Sequence, residues 1–149
     1  MKKSLLVGML LVVMISFTAN AANRPVNGKV WTSFTKQFAG VEEATWTKIN
    51  ETYIAKFLWQ GKHLEAYYNE EGEVIGTGQF ISISTLPYIV NNALKNRFEG
   101  SAITQAYEFT SEKYGLQYFA VVATAEKSVI AEVDTNGVVS VLRKFKIPE

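Results

Sequence analysis

The chain has 149 residues, 48% of them hydrophobic, with no cysteine and 15 basic against 14 acidic side chains. The missing cysteines exclude disulfide staples, thiolate metal sites, a cysteine nucleophile and a lipoprotein anchor. Without Lys2 and Lys3 the basic count falls to 13, a formal charge of −1, which leaves no footprint for nucleic acid.

Residues 1–21 read as a secretory signal peptide: Lys2 and Lys3, an apolar run from Leu5 to Phe17, then Ala19-Asn20-Ala21. The run contains Gly8 and Ser16 and falls short of the ~20 apolar residues of a spanning helix, so no transmembrane segment is expected after cleavage near Ala21. Residues 22–26 form a short flexible lead-in. Residues 27–149 then make a single domain, and a chain of this size buries roughly two-thirds of its unfolded surface.

The first element is a helix, with Val30, Phe34 and Phe38 recurring every four residues, Asn27 as N-cap and Gly40 as the stop. Four strands follow, at "EATWTKI", "TYIAKFLW", "KHLEAYY" and "EVIGTGQFI". A second helix is predicted over 86–98, with Leu86, Val90, Ala93, Leu94 and Phe98 as its stripe, Pro87 in the first turn and Gly100 at its end. Four further strands lie at "AITQAYEFT", "LQYFAVVAT", "SVIAEVD" and "VVSVLRKF". Gly72 and Gly137 stand where hairpins need positive φ, and "WQGK" and "EKYG" supply other glycine turns.

Shifted by 65 positions, residues 53–80 match 118–145 at Tyr53/Tyr118, Ala55/Ala120, Lys62/Lys127, Ala66/Ala131, Gly72/Gly137, Val74/Val139 and Phe80/Phe145. Chance would give roughly two such identities. The expected fold is therefore α+β, a tandem α-β4-α-β4 repeat (27–83 and 84–147) with antiparallel strands and both helices on one face of the sheet. Strand alternation sends Tyr53, Ala55, Phe57, Tyr118, Ala120 and Val122 toward the helices, the small alanines permitting close approach. The other face receives Ile54, Lys56, Leu58, His63, Glu65, Tyr67, Phe119, Val121, Ile130, Glu132 and Leu142.

Trp46, "YIAKF" at 53–57, "EAYYNEEG" at 65–72 and "LP" at 86–87 before a helix, behind a signal peptide, resemble the PepSY-like, beta-lactamase-inhibitor-like (BLIP-like) family of small exported bacterial proteins. The resemblance covers about residues 27–145. It implies a non-enzymatic envelope protein with a curved sheet whose open face holds a partner. It carries over no functional residue, because the disulfides and contact loops of the inhibitors have no counterparts in this cysteine-free chain.

Catalytic readings are weak on the residues alone. His63 is the one histidine and Asp134 the one aspartate, and a half-exposed strand position suits His63 better than a triad does. Glu42-Glu43 and Glu70-Glu71-Glu73 lie in loops where carboxylates are solvated. Asn69 and Asp134 are turn initiators, and "NEEGE" and "DTNG" lack the spacing of a calcium loop. The "GTG" at 76–78 lies inside a strand and reads as a bulge or bend. No cofactor or metal is expected.

The 19 aromatic residues are more informative. Trp31, Phe34, Phe38, Tyr53, Phe57, Tyr68, Phe98 and Tyr118 fit the core by periodicity. Tyr67, Phe119, Ile54, Leu58, Val121 and Ile130 share the helix-free face, and an exposed patch of that kind marks a binding surface. The expected function is a non-catalytic periplasmic or secreted binding module, inhibitor-like in mode, that engages a protein or peptide of the cell envelope through these residues. A homodimer covering the face is one alternative. A small-molecule or lipophilic-ligand carrier, or a small α+β enzyme with a sheet-lined pocket and Glu65 beside His63 as its acid/base pair, is the other.

Overall fold

The structure, a computed structural model, describes residues 26–146; the signal-peptide reading lies outside the described residues. Helix α1 (Gly28–Gln37) precedes strands β1 (Ala44–Ile49), β2 (Thr52–Trp59), β3 (Lys62–Tyr68) and β4 (Val74–Ile81). A short 3-10 turn (Ile83–Thr85) leads to helix α2 (Tyr88–Arg97) and strands β5 (Ala102–Ser111), β6 (Gly115–Ala123), β7 (Ser128–Asp134) and β8 (Val139–Phe145). Every strand pairs antiparallel with its sequence neighbours, giving one eight-stranded meander with no crossover. Among the described residues no helix is long and apolar enough to cross a membrane.

Helix α1 is rich in Thr, Ser and Val, poor helix formers, and ten residues are too few to hold a helix in water. Its cap and its packing hold it. The Asn27 side chain accepts from the Val30 N–H at 2.9 Å and donates to the Glu70 carbonyl at 2.9 Å, tying the helix start to the β3–β4 hairpin. Asn27→Ala is expected to cost about 1 kcal/mol in denaturant unfolding, with the midpoint lowered at unchanged m-value.

Helix α2 begins two residues later than the stripe predicts. Leu86 precedes Pro87, whose ring disfavours helical backbone in the residue before it; Leu86 is accordingly extended (ψ 133°) and Pro87 becomes the N-cap. Leu86 still reaches the core, from outside the helix.

Each helix covers its own part of the sheet. Val30, Phe34 and Phe38 of α1 pack on Trp46, Ala55, Phe57, Ala66 and Tyr68, with the Phe34 ring edge-on to Trp46 and Phe57 at about 5 Å. Val26, assigned above to the lead-in, packs against this cluster. Val90 and Leu94 of α2 pack with Leu86 on Ala106, Tyr118, Ala120, Val122, Ala131 and Val133. Alanines at five strand positions leave room for the helix backbones. The turns follow their chemistry: Gly72 and Gly137 have φ near +80°, the Asn69 side chain accepts from the Glu73 N–H, and that of Asp134 accepts from Asn136 and Val138.

Candidate functional site

The helix-free face carries a third core of its own. Ile54, Tyr67, Tyr107, Phe109, Phe119, Val121 and Ile130 form one buried cluster, with Ile49 of β1 and Leu142 and Phe145 of β8 packed against it. Side chains from first to last strand meet only if the sheet coils inward, and coiling is the ordinary consequence of strand twist accumulated over eight strands.

The exposed patch expected from alternation is therefore corrected. Alternation placed these residues on the right side of the sheet, but Tyr67, Ile54 and Ile130 are fully buried and Phe119 and Val121 nearly so. They pack on one another and offer no accessible contact. Leu58 alone of the six is exposed, at 56%.

Two glycines make this closure feasible. Gly78 stands opposite Glu65 on one side and Phe109 on the other, and Gly76 opposite Tyr67. A Cβ at Gly76 would lie 2.3 Å from Phe109 Cζ, and one at Gly78 2.4 Å from the Tyr107 hydroxyl. The rings of β5 thus lie across a bare stretch of β4 and reach β3, where Phe109 meets Tyr67 edge-on at 5.4 Å. The "GTG" glycines serve close approach, and the register shift anticipated there occurs beside them, opposite Tyr67 and Tyr68.

Polar groups inside this core are paired. The hydroxyls of Tyr67 and Tyr107 each approach Glu65 Oε2 at 2.7 Å and one another at 3.0 Å, while Lys56 Nζ sits 3.0 Å from Glu65 Oε1. Burial, followed by the Glu65 charge, raises the Tyr67 phenol well above its ordinary range. For Tyr107, burial again leads, joined by Tyr67 and Glu65. Glu65 is thus committed to two tyrosines and a lysine, which weakens it as the acid/base partner of the exposed His63.

Beyond Glu65 and Gly78 strands β3 and β4 part. Lys62, His63 and Leu64 pair only with β2, at Trp59, Leu58 and Phe57, whereas Gln79, Phe80 and Ile81 follow β5, at Glu108, Tyr107 and Ala106. The opening is a cleft of about 1410 Å³. Its lining combines side chains of the helix side (Trp31, Phe57, Leu64) with those of the helix-free side (Leu58, His63, Phe80), an arrangement a continuous sheet forbids. Lys56 and Glu65 join it from the tyrosine network.

Three large apolar side chains around this cleft are exposed: Leu58, Trp31 at 49% and Phe80 at 42%. Trp31 reads as core by periodicity, yet it lies about 100° round the helix from Val30 and about 60° from Phe34, at the margin of the stripe, and is half exposed. Phe80 rests edge-on against Tyr107 at 4.9 Å and turns its remaining surface to the cleft.

No family model matches the sequence, and no curated protein matches it. Solved structures do. A BLIP-like protein from Bacteroides fragilis NCTC 9343 aligns over 87% of this chain and 92% of its own at 14% identity, with a TM-score of 0.67. A DUF2874 family protein from Bacteroides ovatus ATCC 8483 aligns over 83% and 89% at 16% identity, TM-score 0.72. A protein from Bacteroides eggerthii DSM 20697, described as a predicted periplasmic protein, aligns over 83% and 91% at 15% identity, TM-score 0.71. At these identities the likeness concerns architecture, and the eight-stranded antiparallel sheet with two helices on one face is the BLIP-like fold.

Proposed function

We propose that the protein is a non-catalytic binding module, exported to the periplasm or medium, that engages a protein or peptide at the cleft between the parted ends of β3 and β4. The observation that carries this reading is the exposure of Leu58, Phe80 and Trp31 around one opening, while Tyr67, Tyr107, Phe109 and Phe119 of the helix-free face are buried. The N-terminal signal-peptide reading and the likeness to a protein described as periplasmic support the location. The order helix, four strands, helix, four strands supports two tandem α-β4 units, with the cleft lined mainly by the first and joined by Thr85 and Glu108 of the second.

The binding residues proposed are therefore Leu58, Phe80 and Trp31, with Lys62 and His63 at the rim. Large, exposed apolar side chains beside charged ones are the usual anchors of protein contacts. Leu58→Ser with Phe80→Ser is expected to abolish retention of the partner captured from the native envelope extract and to weaken affinity at least about tenfold in titration of the purified pair. Equal affinity of wild type and double variant, at matched thermal stability, would sink the proposal.

A further inference from the structure

We infer that the partner enters the cleft as an extended peptide and adds a strand to the β3 edge at Lys62–Leu64; this rests on the binding reading above and specifies its mode. Strand β3 is an interior strand along Glu65–Tyr68, hydrogen-bonded to β2 on one side and β4 on the other. Along Lys62–Leu64 it keeps the β2 ladder and loses the β4 ladder, although β4 runs on for three more residues. Interior strands rarely present one side of their backbone in this way, because an unpaired edge invites pairing with another chain. The edge is accessible: the segment has no proline, two of its three residues are exposed, and Lys62 at its start is the one charge that guards it.

The side chains agree with a strand as occupant. Successive residues of an extended peptide point to opposite faces of the sheet. Because the opening passes between the strands, one set of peptide side chains would meet Leu58 and Phe80 on the helix-free side, and the alternate set Leu64 and Trp31 on the helix side. Apolar or aromatic groups are thus preferred on both sides, while main-chain bonds supply affinity that is indifferent to sequence, as in other strand-addition complexes. A folded globular surface would meet only one rim. A helix, about 10 Å across with its own hydrogen bonds satisfied internally, would leave the β3 edge unpaired.

The test uses peptides selected from a random-peptide phage library on the protein purified from periplasmic expression, followed by amide hydrogen exchange and by synthesis of each peptide with its alternate backbone amides N-methylated. N-methylation removes main-chain donors and keeps every side chain. Strand addition predicts slowed exchange at the His63 amide, the one of the three that the alternating β2 ladder turns outward, and a loss of at least about tenfold in affinity for one of the two N-methylation registers. Peptides that protect the cleft but tolerate both N-methylation registers would overturn strand addition and leave the binding cleft standing. Selection that returns no peptide, or peptides whose protection maps away from the cleft, would overturn both.

Discussion

Gly76→Ala is expected to destabilise the protein by about 3 kcal/mol or more, the upper part of the range for overpacking a well-filled interior. The added Cβ would lie 2.3 Å from Phe109 Cζ and also 2.7 Å from the Thr110 carbonyl oxygen. A ring can rotate, but the carbonyl belongs to the neighbouring strand, so relief requires β4 and β5 to separate. Gly78→Ala provides the contrast. The three atoms nearest its Cβ would all belong to the Tyr107 side chain, at 2.4–2.6 Å. Shortening the offending side chain should therefore rescue one variant and not the other: Tyr107→Leu recovers much of the loss in Gly78→Ala, whereas Phe109→Leu leaves the backbone clash in Gly76→Ala intact. Urea unfolding of the four single and two double variants measures both couplings. Equal rescue in the two cycles would refute the crossing of β4 by the β5 rings.

Those glycines also show where sequence reading ends. Two-residue alternation in β2, β3, β6 and β7 assigns each side chain to the correct face, since Ala55, Ala66, Ala120 and Ala131 lie under helices and Ile54, Tyr67, Phe119 and Ile130 oppose them. Alternation reports sidedness and carries nothing about curvature, so it cannot tell an open helix-free face from one that closes on itself. Curvature depends on which distant strands touch. The signal for it was the glycine pair of β4 facing two aromatics of β5, a long-range complementarity that becomes meaningful only once the register Gly78↔Phe109 is known.

The cleft was harder to see. Strands β3 and β4 each read correctly as strands along their whole lengths, and nothing in "KHLEAYY" or "EVIGTGQFI" says that pairing stops after Glu65 and Gly78. Local pattern specifies a strand; its neighbour at each point is a tertiary property. The late start of α2 was legible in principle, because a residue before proline avoids helical backbone, and the apolar stripe through Leu86 concealed it.

Alkaline titration tests the interior of the coiled sheet more directly than any substitution at its surface. Tyr67 and Tyr107 are fully buried, share Glu65 Oε2 and have phenols raised well above the ordinary value of about 10. A raised folded-state value means that the native protein holds its two protons after the unfolded chain has released them. Their contribution to stability is thus complete below pH 10 and declines as the pH climbs from 10 toward the folded-state values. The slope is about 1.4 kcal/mol per pH unit for each phenol, or about 3 kcal/mol for the pair. A domain with about 5 kcal/mol to lose should then unfold cooperatively about two pH units above 10, and both phenolates should appear in the ultraviolet together with the loss of circular dichroism. Tyr67→Phe with Tyr107→Phe removes both titrations and should flatten the alkaline limb, although leaving Glu65 without its two hydroxyl donors costs stability at neutral pH. Phenolate absorbance from both rings rising smoothly around pH 10, well ahead of unfolding, would mean that water reaches them and that the sheet does not close over its own concave face.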